Sequence, residues 1–284
     1  MHGDREAVEA LTDHPSVKAV GFVGSSAAAR AVYTRATAAG KRALCLGGAK
    51  NSIIVAPDAD ERLTVQSVVD SFTGCAGQRC MAASLLIAVD DRRGLVEKIA
   101  EAASRIELGS GMGALIDRAA KERLERAIAA AEQEGATVLV DGRRRAAPEG
   151  GENGNWMGPT VLDHARPDME CARTELFGPL LTVLRVATLD EALAIDRASA
   201  YGNATSIFTT SGAVARYVGE RAATGMIGVN VGVPVPRDPF SFGGTRDSKL
   251  GHGDITGQGG VEFWSNLKKI TTKWALQPDA TWMS

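Results

Sequence analysis

Short apolar runs alternate with amphipathic segments from the beginning of the chain. Residues 17–23 form an apolar run with the length of a buried strand, and an alanine-rich segment with helical spacing follows at 27–38. Leu44 and Leu46 mark a second strand, and residues 51–55 mark a third. The order strand, helix, strand is typical of a parallel sheet, so this pattern predicts an α/β fold.

The same alternation continues through the rest of the chain. Helices are predicted at 6–11, 62–72, 95–106, 118–134, 189–198 and 213–224, and strands at 84–89, 137–140, 180–186 and 204–209. Residues 143–156, with several arginines and glycines, are predicted to form a long loop. Residues 261–274 mix aromatic, lysine and β-branched side chains with no partner strand after them. They predict a terminal strand that needs another sheet, for which another subunit is one source.

The composition excludes several classes of protein. The chain has 284 residues, of which 44% are hydrophobic and 23% charged, so it can bury the core of one large or two modest domains. Its net charge of -2 gives no field that attracts nucleic acid or an anionic membrane, and small molecules or other protein chains are the expected partners. Neither a membrane-spanning run nor a signal peptide is recognisable, which predicts a soluble, cytoplasmic protein.

The cysteines suggest one candidate for chemistry. Cys45, Cys75, Cys80 and Cys171 have the spacing of neither a disulfide framework nor a metal site, and the histidines are scattered, so no metal is predicted. Cys80 ends a glycine-punctuated loop and follows Arg79, whose positive charge would favour the thiolate. Cys80 is therefore the candidate nucleophile, with a buried structural cysteine as the alternative.

Residues 77–80, Gly-Gln-Arg-Cys, resemble the nucleophile loop of the aldehyde dehydrogenase superfamily. The family's motifs are also matched in order and spacing by residues 22–25, 175–179 and 242–244. Several motifs in register across a chain are much stronger evidence than one tetrapeptide. The most similar branch is that of the CoA-acylating methylmalonate-semialdehyde dehydrogenases, which the chain resembles at residues 46–51, 78–82 and 240–244.

The resemblance implies specific roles for residues in those motifs. Cys80 would attack the aldehyde, NAD would accept hydride, and coenzyme A would take the acyl group. Cofactor binding is assigned to Gly24, Ser25, Gly47, Glu175 and Phe177, and substrate binding to Arg79 and Phe242. The alternatives are an ordinary helix N-cap, a solvated glutamate, a core phenylalanine and a structural salt bridge.

One departure from the superfamily points to the acyl acceptor. Most members have a glutamate at the position of Leu46, and in them it activates the water that hydrolyses the thioester. An apolar side chain cannot do so, and an acyl-cysteine that escapes hydrolysis can pass its acyl group to a thiol. The implied reaction converts methylmalonate or malonate semialdehyde to propionyl-CoA or acetyl-CoA with loss of CO2. A hydrolytic aldehyde dehydrogenase and a catalytically inactive, oligomerising subunit remain alternatives.

The resemblance covers only the C-terminal half of a family member. It predicts a remnant of a Rossmann-like NAD domain over 1–46, a catalytic domain over 47–260 and an oligomerisation segment over 261–284, in a homo-dimer or homo-tetramer. The strands that hold adenosine, and an asparagine that binds the oxyanion, precede the matched region in the family. Two explanations are open: the chain is a fragment, or a separate chain supplies the other half.

Overall fold

The computed structural model describes residues 3–91 and 93–274. The helices are α1 (Arg5–Asp13), α2 (Ser26–Ala38), α3 (Glu61–Thr73), α4 (Leu95–Ser104), α5 (Arg118–Gln133), α6 (Glu170–Arg173), α7 (Leu189–Ala198), α8 (Gly212–Arg221) and α9 (Gly257–Trp264). The strands are β1 (Ala19–Val23), β2 (Arg42–Leu46), β3 (Asn51–Val55), β4 (Ala83–Val89), β5 (Thr137–Val140), β6 (Thr160–Asp163), β7 (Leu180–Val186), β8 (Tyr201–Gly202), β9 (Ala204–Phe208), β10 (Met226–Val229), β11 (Thr245–Arg246) and β12 (Lys249–Leu250).

A seven-stranded sheet has the strand order β10-β9-β3-β4-β7-β6-β5. Neighbouring strands are parallel, except that β5 runs antiparallel to β6. The central strands are continuous apolar or small-residue runs, as expected for parallel strands that are covered on both faces, and β3 and β9 are buried at every position.

The side chains of successive residues in β3 serve two different cores. Ile54 packs in a cluster with side chains of α5, α7 and α8, whereas Ile53 packs in a second cluster with side chains of α3 and α4. This division follows from the period of two along a strand, which sends neighbouring side chains to opposite faces. Helices therefore cover both faces of the sheet that carries the candidate nucleophile.

A smaller, three-stranded sheet combines strands from the N-terminal and C-terminal parts of the chain. Strands β1 and β2 are parallel, and β12 pairs antiparallel with the other edge of β2. Helix α2 packs Ala29 and Val32 against Cys45 of β2. The chain changes sheet between β2 and β3, close to residue 46, although β12 returns to the first sheet from residues 249–250. The domain boundaries remain a prediction.

The predicted terminal strand is wrong over residues 261–264, which form about the last turn of α9. Gly260 and Phe263 are the buried residues of this helix, at a spacing of three that suits a helical face. Phe263 and Ser265 offer their carbonyl groups to the guanidinium of Arg42. Residues 265–274 pair with no strand in the described part of the chain, and residues 275–284 lie outside it. A role in oligomerisation stays a prediction.

Within residues 3–91 and 93–274, none of the helices combines the length and the apolar character that a membrane crossing requires.

Candidate active site

The segment that carries Cys80 begins with an unusual left-handed turn. After α3, the backbone φ angles of Cys75, Ala76 and Gly77 are 54°, 53° and 66°. This region is costly for residues with a β-carbon, so the surrounding structure must hold the turn in place. A β-carbon on Gly77 would lie 2.1 Å from the carbonyl oxygen of Gly178, which explains the glycine and shows how closely two of the predicted motifs pack.

Two buried asparagines hold the backbone of Cys80. The side-chain amide of Asn51 donates to the carbonyl oxygens of Cys80, at 2.8 Å, and of Ala82, at 3.0 Å. The amide of Asn203 donates to the same Cys80 oxygen at 3.0 Å and to Asn51 Oδ1 at 3.1 Å. Asn51 Oδ1 also accepts from the backbone N–H of Ala204. Sequence reasoning missed both asparagines as functional candidates.

The environment of the Cys80 thiol favours its neutral form. Cys80 is exposed as a whole residue, yet the protein atoms around it partly desolvate the thiol, and this is the largest cause of its raised pKa. The carboxylate of Glu175 acts in the same direction. The backbone N–H groups of Cys80 and Met81 and the charge of Arg79 lower the pKa but do not outweigh these effects.

Arg79 is engaged by α3 rather than pointing freely into the site. Its Nη2 donates to the carbonyl oxygens of Asp70, at 2.8 Å, and Ser71, at 3.1 Å, near the C-terminal end of the helix. A cation at this end also complements the helix dipole. The charge of Arg79 lowers the pKa of the Cys80 thiol, the direction expected from the sequence. Its contact with substrate stays a prediction.

Gln78 ties the nucleophile segment to a neighbouring loop. Its Oε1 accepts from the backbone N–H of Ile116 at 2.8 Å, and its Nε2 donates to the carbonyl of Ala114 at 3.3 Å. These two hydrogen bonds resemble the ones that a residue makes to a neighbouring β-strand. They anchor the nucleophile segment to the loop that precedes α5.

Glu175 lies close to both Cys80 and the Gly47–Gly48 segment. A β-carbon on Gly48 would lie 2.4 Å from Glu175 Oε2, so only glycine leaves room for this carboxylate. Burial raises the pKa of Glu175, while the N–H of Ala49 and the charges of Lys50 and Arg123 lower it. A half-buried carboxylate in this position could accept hydrogen bonds from sugar hydroxyls.

The two predicted phenylalanines occupy different surroundings. Phe177 is 40% exposed and has a φ of 53°, an uncommon combination for a large apolar residue. It offers an open ring next to Glu175. Phe242 is half-buried and packs against Met81, Ala204 and Met226, so it borders the residue that follows the nucleophile.

The N-terminus of α2 meets the Gly47–Gly48 segment. Ser25 is the N-cap, and its hydroxyl accepts from the N–H of Ala28. Ser26 Oγ accepts from the N–H of Gly48 at 3.0 Å and donates to the carbonyl of Asp247 at 3.1 Å. A β-carbon on Gly47 would lie 2.4 Å from that carbonyl oxygen. The backbone of Gly47 and Gly48 therefore lies against the N-terminus of α2, an arrangement that suits a pyrophosphate.

Lys50 is a buried cation in the motif of residues 46–51, and the sequence predicted no role for it. It is 6% exposed, and its Nζ is buried with no hydrogen-bond partner in the described structure. Burial lowers the pKa of Lys50 to about 8, partly opposed by Cys171 and Glu175. It lines a cleft between α6 and α7 that also contains Ser52, Tyr201 and Asn203.

Cys80, Glu175 and the Gly47–Gly48 segment therefore converge, and Phe177 and the α2 N-terminus border them. The residues present fit the pyrophosphate and nicotinamide ends of NAD, because they combine a glycine cradle, a helix N-terminus, a carboxylate and an open aromatic ring. A cysteine that follows a strained turn and lies beside a carboxylate is equipped for covalent thiol chemistry. The fold and the site together define an α/β protein with Cys80 as its candidate nucleophile.

The comparison with known families agrees with this definition. The model of the aldehyde dehydrogenase family matches residues 1–270, and the chain belongs to this family. The predicted α/β fold of aldehyde dehydrogenase type is thereby confirmed, and the chain forms part of that fold.

Individual relatives are methylmalonate- and malonate-semialdehyde dehydrogenases. The acylating, mitochondrial methylmalonate-semialdehyde/malonate-semialdehyde dehydrogenase of Rattus norvegicus is 41% identical over 99% of this chain and 53% of its own length. Malonate-semialdehyde dehydrogenase 2 of Geobacillus kaustophilus is 41% identical over 96% of this chain and 58% of its own length. The chain spans about half the length of the curated relatives it matches.

Solved structures show the same relationship. The methylmalonate-semialdehyde dehydrogenase of Oceanimonas doudoroffii is 42% identical and superimposes with a TM-score of 0.94, over 97% of this chain and 58% of that one. A protein described as the methylmalonate-semialdehyde dehydrogenase of Sinorhizobium meliloti 1021, in complex with NAD, is 37% identical and superimposes with a TM-score of 0.95, over 98% of this chain and 58% of that one.

Proposed function

We propose that this chain is the catalytic part of an NAD-dependent, CoA-acylating dehydrogenase. Its substrates are methylmalonate semialdehyde or malonate semialdehyde, and its products are propionyl-CoA or acetyl-CoA and CO2. The names of the relatives support the substrate class, and the NAD complex of one relative supports the cofactor. The observation that carries the acyl-transfer step is the apolar Leu46 at the end of β2.

Cys80 performs the covalent step in this proposal. After losing its proton, the thiolate forms a bond to the aldehyde carbon, and loss of hydride from that carbon leaves a thioester on Cys80. NAD, when bound, supplies the hydride acceptor. The thiolate of coenzyme A then attacks the thioester carbon, and the bond to Cys80 breaks, which regenerates the nucleophile. At the thioester stage the bond between the α-carbon and the carboxylate breaks and CO2 leaves. The electron pair of that bond stays on the α-carbon as the thioester enolate, which takes up one proton from solvent.

The residues around Cys80 bind and orient the reactants. Glu175 accepts hydrogen bonds from the nicotinamide ribose, Phe177 packs beside the nicotinamide ring, and the α2 N-terminus with Gly47 receives the pyrophosphate. The raised pKa of Cys80 means that the thiol is mainly neutral near pH 7, so its proton must leave as the substrate binds or reacts. The N–H groups of Cys80 and Met81 are the nearby donors that stabilise the thiolate.

Leu46 determines the fate of the thioester. It is buried at the end of β2, where it pairs with Lys249 of β12, and it offers no lone pair to a water molecule. Without a general base the thioester hydrolyses slowly, because water at neutral pH is a poor nucleophile. Coenzyme A brings its own thiol and needs less activation, so acyl transfer outruns hydrolysis.

The test uses an enzyme completed by a chimera. The N-terminal part of the Geobacillus kaustophilus relative, up to the start of the matched region, is joined to this chain, and this chimera is called the completed enzyme below. With malonate semialdehyde and NAD, it should form acetyl-CoA and need coenzyme A for steady turnover. In the absence of coenzyme A, the completed enzyme should form free acid at a rate about tenfold or more below its rate of acetyl-CoA formation with coenzyme A.

Two variants at one position sharpen this test. Leu46→Glu should raise free-acid formation without coenzyme A, whereas the volume-conserving Leu46→Met should leave the requirement unchanged. Comparable free-acid formation by the wild-type chimera with and without coenzyme A would support the hydrolytic alternative. A folded chimera that binds NAD but forms neither product would support an inactive, oligomerising subunit.

We further propose a homo-oligomeric assembly, to which a separate chain can contribute the part of the relatives' length that these 284 residues do not match, and a cytoplasmic location. None of the four cysteines takes part in a disulfide, which suits a reducing compartment. Size-exclusion chromatography with light scattering on the chain, alone and mixed with the N-terminal part of the relative, tests the assembly. A monomer in both samples would contradict it.

A further inference from the structure

The carbonyl oxygen of Cys80 accepts hydrogen bonds from two side-chain amides. Asn51 Nδ2 lies 2.8 Å and Asn203 Nδ2 lies 3.0 Å from this oxygen. Both asparagines are buried, with exposed fractions of 4% and 7%. The Oδ1 atom of Asn51 is engaged as well, since it accepts from Asn203 Nδ2 and from the N–H of Ala204. The pair is called the asparagine clamp below.

The clamp determines which way the next peptide group points. In a planar trans peptide, the C=O of Cys80 and the N–H of Met81 lie on opposite sides of the chain. Because buried amides hold the oxygen on the inner side, the Met81 N–H is directed outward, to the side where Cys80 is exposed. That N–H in fact acts on the Cys80 sulfur and lowers the pKa of the thiol.

The clamp also strengthens this donor. Hydrogen bonds to a carbonyl oxygen polarise the whole peptide group, so the attached N–H becomes a better donor to an anion. A thiolate that accepts such a bond gains more than a neutral thiol, because hydrogen bonds to charged groups are the stronger ones. The clamp thus acts on the sulfur through the Cys80–Met81 peptide without touching it.

From this geometry we propose that Asn51 and Asn203 are positioning residues that orient the Cys80–Met81 peptide so that its N–H stabilises the nucleophilic thiolate. The inference rests on the proposed role of Cys80 as the nucleophile. The two residues that support this role are Asn51, the first residue of β3, and Asn203, which immediately precedes β9. The charged groups that act on the thiol are Glu175 and the adjacent Arg79. Neither belongs to the clamp, so a substitution in the clamp retains both of them.

The test measures the reactivity of Cys80 without any need for turnover. The 284-residue chain is treated with limiting iodoacetamide between pH 6 and pH 10, and mass spectrometry reports the rate at each cysteine. Cys75, which is also exposed and lies in the same segment, serves as the internal reference. The variants are Asn203→Leu, which removes the donor, and Asn203→Asp, which replaces the donor by an acceptor of the same shape.

For both variants, we expect the alkylation rate of Cys80 at pH 7.5 to fall by about three- to tenfold, and its pH profile to move toward higher pH. The profile of Cys75 should not move. Asn230→Asp is the matched control, because Asn230 bridges the backbone of Thr209 with two hydrogen bonds far from the nucleophile segment. It should leave both cysteine profiles unchanged.

Two results would overturn the proposal. Folded Asn203 variants, judged by circular dichroism and thermal melting, that retain the wild-type Cys80 profile would show that the clamp does not act on the thiolate. Parallel changes at Cys75 and Cys80 would show a purely structural role for the clamp. Failure of the proposed dehydrogenase function would leave the Cys80 profile untouched, because alkylation requires neither NAD nor coenzyme A.

Discussion

The two larger sheets of this molecule, with seven and three strands, differ in how completely the described chain covers them. Helices pack on both faces of the central strands of the seven-stranded sheet, and β3 and β9 are buried at every position. In the smaller sheet, β1 alternates between half-buried and exposed residues, and Val23 is 60% exposed. One edge of β1 pairs with no strand of the described residues.

The difference separates the two parts of the proposed site. Cys80 and the asparagine clamp belong to the larger sheet, whose covered strands hold them in place. Ser25 and Gly47 lie at the end of the smaller sheet, whose apolar edge needs further cover. We therefore expect thiol chemistry to depend little on what covers β1, and cofactor affinity to depend on it strongly.

The largest effect should come from removing the nucleophile. In the completed enzyme, Cys80→Ala should reduce acetyl-CoA formation by roughly 10⁴-fold, because no other group can form the thioester. Cys75→Ala, at an exposed cysteine in the same segment, should retain activity within about twofold. A Cys80→Ala enzyme with more than about one per cent of wild-type activity would place the chemistry elsewhere.

The next effect concerns NAD. The 284 residues contain those proposed for the pyrophosphate and nicotinamide ends of NAD, whereas the resemblance implies that the adenosine strands precede the matched region. Loss of several contacts worth about 1 kcal/mol each should weaken a micromolar site about a thousandfold, to the millimolar range. Calorimetric titration of the 284-residue chain and of the completed enzyme measures the difference. A low-micromolar dissociation constant for the chain alone would erase the proposed contrast between the sheets.

Much of the larger sheet was predictable because its elements are strongly patterned. Helix α7 spans the predicted residues, and the predicted β7 is also found without change. Some short strands were missed although β5 was predicted, and β6 illustrates why. It has only four residues and ends in Asp163, whose charge suggests a surface position. In the structure this carboxylate is buried and paired with Arg185, a distant partner that local patterning cannot supply.

The site was predictable where a motif carries the chemistry and not where distant residues support it. The resemblance identified Cys80 and Glu175, which the structure brings close together. It did not identify the clamp, because Asn203 is 123 residues from Cys80 in the chain and an asparagine before a strand has no chemical signature of its own. The α9 region was misassigned because its aromatic and β-branched residues favour strands, whereas burial of Gly260 and Phe263 selects a helix.

Paired core substitutions compare the stability of the two sheets directly. Ile54 in β3 is fully buried, so Ile54→Ala should lower the free energy of unfolding by about 2–5 kcal/mol. The largely exposed Val23 in β1 leaves almost no cavity, and Val23→Ala should cost less than about 0.5 kcal/mol. Urea denaturation of both variants gives the two values. Similar losses would mean that β1 is better covered than its exposure indicates.

The smallest effect tests the link between the sheets, where Lys50 connects β2 to β3. Burial lowers the pKa of Lys50 to about 8 from an ordinary value of 10.5. Between pH 8 and 10.5 the unfolded chain therefore binds more protons than the folded chain at this group, and its contribution to stability rises with pH. Below pH 8 the folded protein bears the full cost of a buried, unpartnered charge.

Lys50→Met keeps most of the apolar stem and removes that charge. At pH 7 the variant should be more stable than the wild type by about 1–3 kcal/mol, and the difference should vanish as the pH approaches 10.5. Cys45, whose buried thiol has a pKa raised to about 11, contributes with the opposite sign, but it is present in both proteins and cancels in the difference. Urea denaturation at intervals from pH 7 to 10.5 gives the two curves. Parallel curves would show that Lys50 has a partner when the protein is in solution, and the junction between the sheets would then be better satisfied than its geometry indicates.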